Sequence, residues 1–291
     1  MKPFPFDYRI AENVDEALAL LAAEGVDAKL VAGGQSLGPM LNYHLVRPDY
    51  LIDVNRIAEL HEIRHEDGAL QIGATTTEAA IEQSDLVRQH APLLAVATSH
   101  IGFPSIRHRG TIGGSVSHND PAAEYPATLL ALDASFEVAS MRGVRKVTAT
   151  ELFSDRFLET TIEPDEMITR ITIPSATSTT HFGFAEFEER AGDFATAGVA
   201  VVLTMNDAHD QIVAAAISAF GGLYSTRFST AEAALIGAQP GAEAFDDATA
   251  AVASEFAVGT DVHGSASYRR RLVRTLTRGA LNDAATLQPA L

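Results

Sequence analysis

"VAGGQSLGPM", residues 31–40, breaks an apolar run on paired glycines. A strand that ends on Gly-Gly can turn through φ > 0 and lie close against another surface. Successive amide N–H groups in such a turn form a concavity for an anion. A helix opening at the same place adds its N-terminal dipole, and Ser36 adds a small hydroxyl donor. Far downstream, "RGTIGGSVSHNDPAAEYP", 109–126, repeats the pattern: Thr111 and Ile112 lead into Gly113 and Gly114, and Ser115 follows. Facing each other, two such stretches would cradle a pyrophosphate. Taken singly, each reads as a plain turn. Neither matches the G-x-G-x-x-G dinucleotide fingerprint or the P-loop lysine signature.

Working outward, "NVDEALALLAAEG", 13–25, has helical spacing, with Asn13 as N-cap, acidic residues in the first turn and Gly25 as its end. "AKLVA", 28–32, and "DYLIDV", 49–54, are apolar strands on either side of the first glycine pair. Residues 1–55 therefore form a small α/β unit. Residues 56–175 read as a mixed unit: a strand at 69–73, helices around the second glycine stretch, and further strands in "VRKVTATELF" and "EMITRITIP". "PSATSTTHFG", 174–183, is a small-residue connector. Beyond it, 176–291 reads as a β-meander covered by two helices, one alanine-rich (241–257) and one with arginines opposite leucines. The fold class is α+β.

The chain has 291 residues, 46% hydrophobic and 20% charged, the balance of a globular protein. A formal net charge of −17 argues against nucleic acid and against an anionic membrane surface as partners. There is no cysteine, so the chain holds no disulfide, thiolate nucleophile or thiolate-ligated iron–sulfur cluster. No apolar run approaches the ~18 residues of a membrane span, and "MKPFPFDYRI" has no secretory h-region. A cytoplasmic location is expected. His61 and His65 lie four apart in "HEIRHEDG", which leads into a turn and reads as solvated surface. No metal site is expected.

The motifs carry a resemblance. "AGGQSLGPMLNYHLVRPDYLIDVNRI" and "IRHRGTIGGSVSHNDPAAEYPATLLALDA" resemble the FAD-binding (medium) subunits of molybdenum hydroxylases, the family of the carbon monoxide dehydrogenase medium subunit and the xanthine dehydrogenase flavin subunit. "EERAGDFATAGVAV" and "SYRRRLVRTL" are similar to motifs of that family's C-terminal domain. The resemblance implies a two-subdomain FAD-binding fold of the vanillyl-alcohol oxidase type, with subdomains 1–55 and 56–175, plus a C-terminal α+β domain. It implies non-covalent FAD on this chain. It also implies a large molybdenum–pterin subunit and a small subunit with two 2Fe-2S clusters, assembled as a heterohexamer. Electrons would pass from those clusters through FAD to an external acceptor.

Carried over residue by residue, the resemblance places Ala32, Gly33, Gly34, Gln35, Ser36 and Leu37 at the pyrophosphate, with Lys29, Leu30 and Val31 leading in from the adenine end. Thr111, Ile112, Gly113, Gly114 and Ser115 lie opposite. Glu124 matches an acidic cofactor contact, and Ile101 and Ile168 match apolar positions near the flavin. Asp120 reads as a ribose ligand or as the cap of a helix opening at Pro121. Three departures stand out: Gln35 replaces a common histidine, Ser115 a common asparagine, and Ala185-Glu186 a region that carries a lysine near the flavin. Gly114→Val is expected to abolish FAD binding, on the premise that Gly114 has φ > 0. Of the other residues, Arg107 and Arg109, flanking the second cradle, read as partners of carboxylates or of phosphate, Phe182, Phe184 and Phe187 as core rather than flavin stackers, Asp193-Phe194 as a turn, and Arg269-Arg270-Arg271 as a solvated or subunit-contact face. Two rival readings are a standalone flavoenzyme acting directly on a small molecule, for which no proton-transfer residue is apparent, and a non-catalytic FAD scaffold.

Overall fold

The computed structural model describes residues 2–23 and 27–286. Strands β1 (Asp7–Ile10), β2 (Ala28–Val31) and β3 (Tyr50–Asp53) form a parallel sheet in the order β1-β3-β2. The helix Val14–Leu21 connects the first two, and Asn13 caps it by accepting from the Glu16 N–H. Its Ala17, Leu18 and Leu21 pack against Ile52, Val54 and Ile57. The expected end of this helix at Gly25 lies outside the described residues.

The second sheet is antiparallel: β4 (Ile63–Glu66), β5 (Ala69–Gly73), β6 (Ser135–Ser140), β7 (Gly143–Thr148) and β8 (Met167–Pro174), in the order β4-β5-β8-β6-β7. Strand β4 occupies part of the stretch read as solvated surface. Its residues pair in a hairpin across Asp67-Gly68, where both residues have positive φ, 51° and 74°. Helices cover one face and build the largest core, from Leu70, Ile72, Leu94, Ile112, Tyr125, Phe136 and Ile171 among others.

The third sheet is a meander of β9 (Thr180–Phe187), β10 (Ala197–Met205), β11 (Ile212–Phe220) and β12 (Thr226–Arg227), paired antiparallel in chain order. Strand β10, "AGVAVVLTM", is apolar but for Thr204 because both its faces are covered. One face meets the helices Ala242–Glu255 and Ala266–Thr286. The other meets Leu93 and Ala131 of the second unit through Ala200, with Phe182 and Phe184 alongside. Phe187 is 38% exposed and lies outside these clusters. The helix Ser229–Leu235 was not anticipated from the sequence.

The closing helix corrects the expected face of arginines. Its buried residues are Arg269, Val273, Thr277, Ala280, Leu281 and Ala284. Small residues are required because β9 lies against it: a Cβ on Gly183 would sit 1.9 Å from the Ala280 carbonyl oxygen. Arg269 is buried because its guanidinium donates to both oxygens of Asp261, at 2.8 and 2.7 Å, and to the Gly221 carbonyl at 2.8 Å. Arg270 and Arg271 are exposed, as expected. Arg269→Ala should cost about 2–3 kcal/mol, the scale of hydrogen bonds to a charged group, whereas Arg270→Ala should stay within about 0.5 kcal/mol. Denaturant midpoints compare them; equal effects would return Arg269 to the surface set.

Candidate functional site

The first glycine pair lies where β2 ends. Val31 still receives a sheet-edge bond from Val54 N–H, at 3.2 Å, before the chain leaves the strand. Lys29 is exposed, while Leu30 and Ala32 pack against the first core. At Gly33 the backbone meets the second glycine stretch directly. A Cβ there would lie 2.1 Å from the Arg109 carbonyl oxygen and 2.9 Å from the Gly110 Cα. Gly34 follows with φ +69°, the left-handed turn expected. Gly38 N–H then bonds to the Gly34 carbonyl at 2.9 Å and starts the helix Leu37–Asn42. Among the described residues, no partner is found for the amide N–H groups of Gly33 through Leu37. The Ser36 hydroxyl at the N-cap makes no capping bond. Gln35 does not point outward: its side-chain amide donates to the Gly33 carbonyl at 3.0 Å.

The second stretch is built differently from the expected strand and turn. Thr111 caps the helix Ile112–His118, accepting from Gly114 N–H at 3.2 Å. Ile112 and Gly113 donate to the Thr76 and Ala74 carbonyls at 3.1 and 2.9 Å, and Ser115 donates to Thr111 at 3.0 Å. These amides are already paired, so this segment is not an open nest. Gly114 lies in the helix without positive φ, and the premise for Gly114→Val is corrected accordingly. Gly113 is the constrained glycine, since a Cβ there would meet the Ala74 carbonyl at 2.6 Å. Thr111, Ile112 and Gly113 are buried, Ser115 is half-buried and Gly114 is exposed.

Asp120 corrects a second detail. Its carboxylate accepts from Ala122 N–H at 2.9 Å and closes a turn, while the next helix, Glu124–Ala131, begins after Ala123 rather than at Pro121. Ile101 ends the helix Pro92–His100 half-buried, and Ile168 lies in the central core on β8. Arg107 pairs with Glu82 at 2.8 Å and donates to the Ile101 and Gly102 carbonyls. Asp193 makes a turn to Arg190, and Phe194 is left 76% exposed.

A group of interacting buried acids begins at the second glycine stretch. Glu78 is packed under Gly110, whose Cβ would meet its carboxylate at 2.5 Å. Burial pushes Glu78 up to about 7, with Arg107 opposing. Burial pushes Glu124 up to about 8; its own backbone N–H opposes this, while Glu78, Glu188 and Asp120 add to it. Glu186 on β9 is raised by burial first, then by Glu124 and Glu188. Of these, Glu124 was expected at the site. Glu78 carried no signal in the sequence, and Glu186 stood out there only as part of a replaced lysine region. Its burial comes from the meander closing over the helices. Among the described residues, no three potential metal ligands converge, and no helix is long and apolar enough to cross a membrane.

An arrangement of free amides, a free hydroxyl and glycine-only backbone contact suits a pyrophosphate: it binds anionic oxygen without a cationic side chain. That matters in a chain of net charge −17. The acids beside it accept hydrogen bonds when ionised and donate them when protonated.

Comparison with known proteins gives concordant results. Residues 4–176 match the family model "FAD binding domain in molybdopterin dehydrogenase", and residues 182–284 match "CO dehydrogenase flavoprotein C-terminal domain". The chain is 41% identical to the 6-hydroxypseudooxynicotine dehydrogenase complex subunit alpha of Paenarthrobacter nicotinovorans, over 98% of this chain and 96% of the other. It is 37% identical to the nicotine 6-hydroxylase medium subunit of the same organism, over 95% and 96%. Among solved structures, a chain of the Hydrogenophaga pseudoflava carbon monoxide dehydrogenase that lacks the Mo-pyranopterin moiety superposes with a TM-score of 0.94 at 36% identity, covering 98% of both chains.

Proposed function

The chain belongs to the FAD-binding (medium) subunit family of the molybdenum hydroxylases, and from that premise we propose that it is the electron-transfer subunit of such a complex. FAD supplies the redox chemistry when bound, because a flavin can take electrons singly and give them in pairs. The contact of Gly33 with Arg109-Gly110, beside the row of free amides, is the observation that carries the reading. The amides of Gly33 through Leu37, with Ser36, hold the pyrophosphate non-covalently. Lys29, Leu30, Val31 and Ala32 line the approach to it. Thr111, Ile112, Gly113, Gly114 and Ser115 form the opposing wall, with Asp120 on the ribose side and Glu124, Ile101 and Ile168 toward the flavin. Residues 1–55 and 56–175 clasp the cofactor, and 176–291 closes over it.

Partner subunits supply what this chain lacks. A large subunit carries the molybdenum–pterin centre, and a small one carries the 2Fe-2S clusters that a cysteine-free chain cannot ligate. We place the complex in the cytoplasm, as a heterohexamer. Purification from the native source, with mass spectrometry and metal analysis, tests the reading. The chain should co-purify with both partners and with molybdenum and iron, and acid precipitation should release its FAD into the supernatant. A lone flavoprotein free of both metals would favour an enzyme acting directly on its substrate, and flavin retained in the pellet would show a covalent link.

A further inference from the structure

Strand β9 carries a buried acid, Glu186, in its pairing with β10. The Glu186 side chain is 1% exposed, and neither carboxyl oxygen has a hydrogen-bond partner among the described residues. The nearest basic group is His100 at the end of the helix Pro92–His100, whose Nδ1 lies 3.7 Å from Glu186 Oε2, beyond a normal hydrogen bond. Burial disfavours the charged form of His100, with Glu188 opposing. The charges acting on Glu186 are Glu124, at the start of the helix Glu124–Ala131, and Glu188 on the segment that follows β9, and both are acidic. Glu124 in turn is acted on by Glu78 and Asp120. Arg107, the cation that acts on Glu78, is committed to Glu82, and burial disfavours the charged form of His118, which lies 3.9 Å from Asp120. An isolated carboxylate here would be desolvated and unpaired, and such groups take up a proton instead.

We propose that Glu186 carries its proton in the resting protein and that Glu186 and Glu124 form a proton-holding pair that ties the redox potential of the bound flavin to pH. The proposal rests on the FAD reading above. Reduction by two electrons adds negative charge at the flavin. With Glu124 toward the flavin, as that reading has it, a neutral acid at the neighbouring Glu186 leaves that step unopposed, and an ionised one opposes it. By linkage, reduction strengthens proton binding at the pair to the same extent. Where Glu186 is ionised, reduction of the flavin therefore draws up to one proton from solvent onto its carboxylate oxygen. No bond is made to the flavin by that proton, and the electrons come from the iron–sulfur partner or, in a titration, from dithionite.

Burial and the two neighbouring acids push Glu186 up to about 9, which sets the range for the test. Midpoint potentials of the FAD-loaded full chain are measured from pH 6 to pH 10, with Glu186→Gln as the permanently neutral comparison. The two proteins should agree at the acid end, and the potential of the unaltered chain should fall below that of the variant at the alkaline end. Glu124→Gln should move the onset of that fall to lower pH, because it removes one of the acids that hold the proton on Glu186. Infrared spectra of the flavin-free chain at pH 7 should contain a carboxylic C=O band that Glu186→Gln loses. A constant separation between the two potentials across the range, or no loss of the band, overturns the proposal. A chain that shows the band but binds no FAD overturns the functional reading instead. If Glu186→Gln does not fold, the onset shift in Glu124→Gln decides.

Discussion

Gly33→Val should abolish FAD binding, with the largest effect of any single substitution in the cradle. The two glycine stretches touch at this residue, and a Cβ would lie 2.1 Å from a backbone carbonyl oxygen that no rotamer change can move aside. Relief requires the Arg109-Gly110 backbone to withdraw, and Gly110 is itself pressed against the Glu78 carboxylate. Overpacking at a rigid contact costs ~1–3 kcal/mol, and the displacement also opens the cradle. Two further substitutions separate strain from contact. Gly34→Ala meets nothing nearer than 3.7 Å but forces a side chain at φ +69°, a cost of about 1–2 kcal/mol. A Cβ on Gly114 meets the Thr111 hydroxyl, at 2.9 Å, on an exposed helical residue, so Gly114→Val should weaken FAD binding far less than Gly33→Val. FAD titration with circular dichroism reads binding and folding apart. Full FAD affinity in a folded Gly33→Val chain would remove this contact from the site.

Isolated and loaded with FAD, the chain should be reduced by dithionite but not by the organic substrate of its complex. Every route from substrate to flavin in the proposed complex passes through centres this chain cannot hold. It has no cysteine for an iron–sulfur cluster. Burial raises Glu124 and Glu186 above the neutral range and favours their protonated forms, which cannot take a proton from a substrate. The measurement is anaerobic: candidate substrates are mixed with the chain, and the oxidised flavin band is followed. Rapid bleaching by any small organic molecule would make direct flavin chemistry the better account.

Local signals were legible wherever partners lie a few residues apart. Asn13 capping its helix, the apolar runs of β2 and β3, and the alternation of "HFGFAEFEER" all act through neighbouring backbone and needed no knowledge of the rest of the chain. The left-handed turn at Gly34 was legible for the same reason. The second glycine stretch misled because T-I-G-G-S fits both a strand-ending turn and a capped helix. The choice was made by Thr76 and Ala74, more than thirty positions upstream, whose carbonyls take the Ile112 and Gly113 amides.

The sequence by itself determined the α+β class, the two glycine stretches, the absence of any thiolate-held cluster and the motifs that mark the family. These depend on residue type, short-range spacing and composition. Only the tertiary structure decided that Gly33 closes on Arg109-Gly110, that Arg269 is buried against Asp261 and Gly221, and that Glu78, Glu124 and Glu186 are withdrawn from water. A charged residue looks the same in sequence whether it is solvated or buried. Its protonation and its role follow from desolvation and from partners brought in by distant segments, and those exist only once the three sheets have packed.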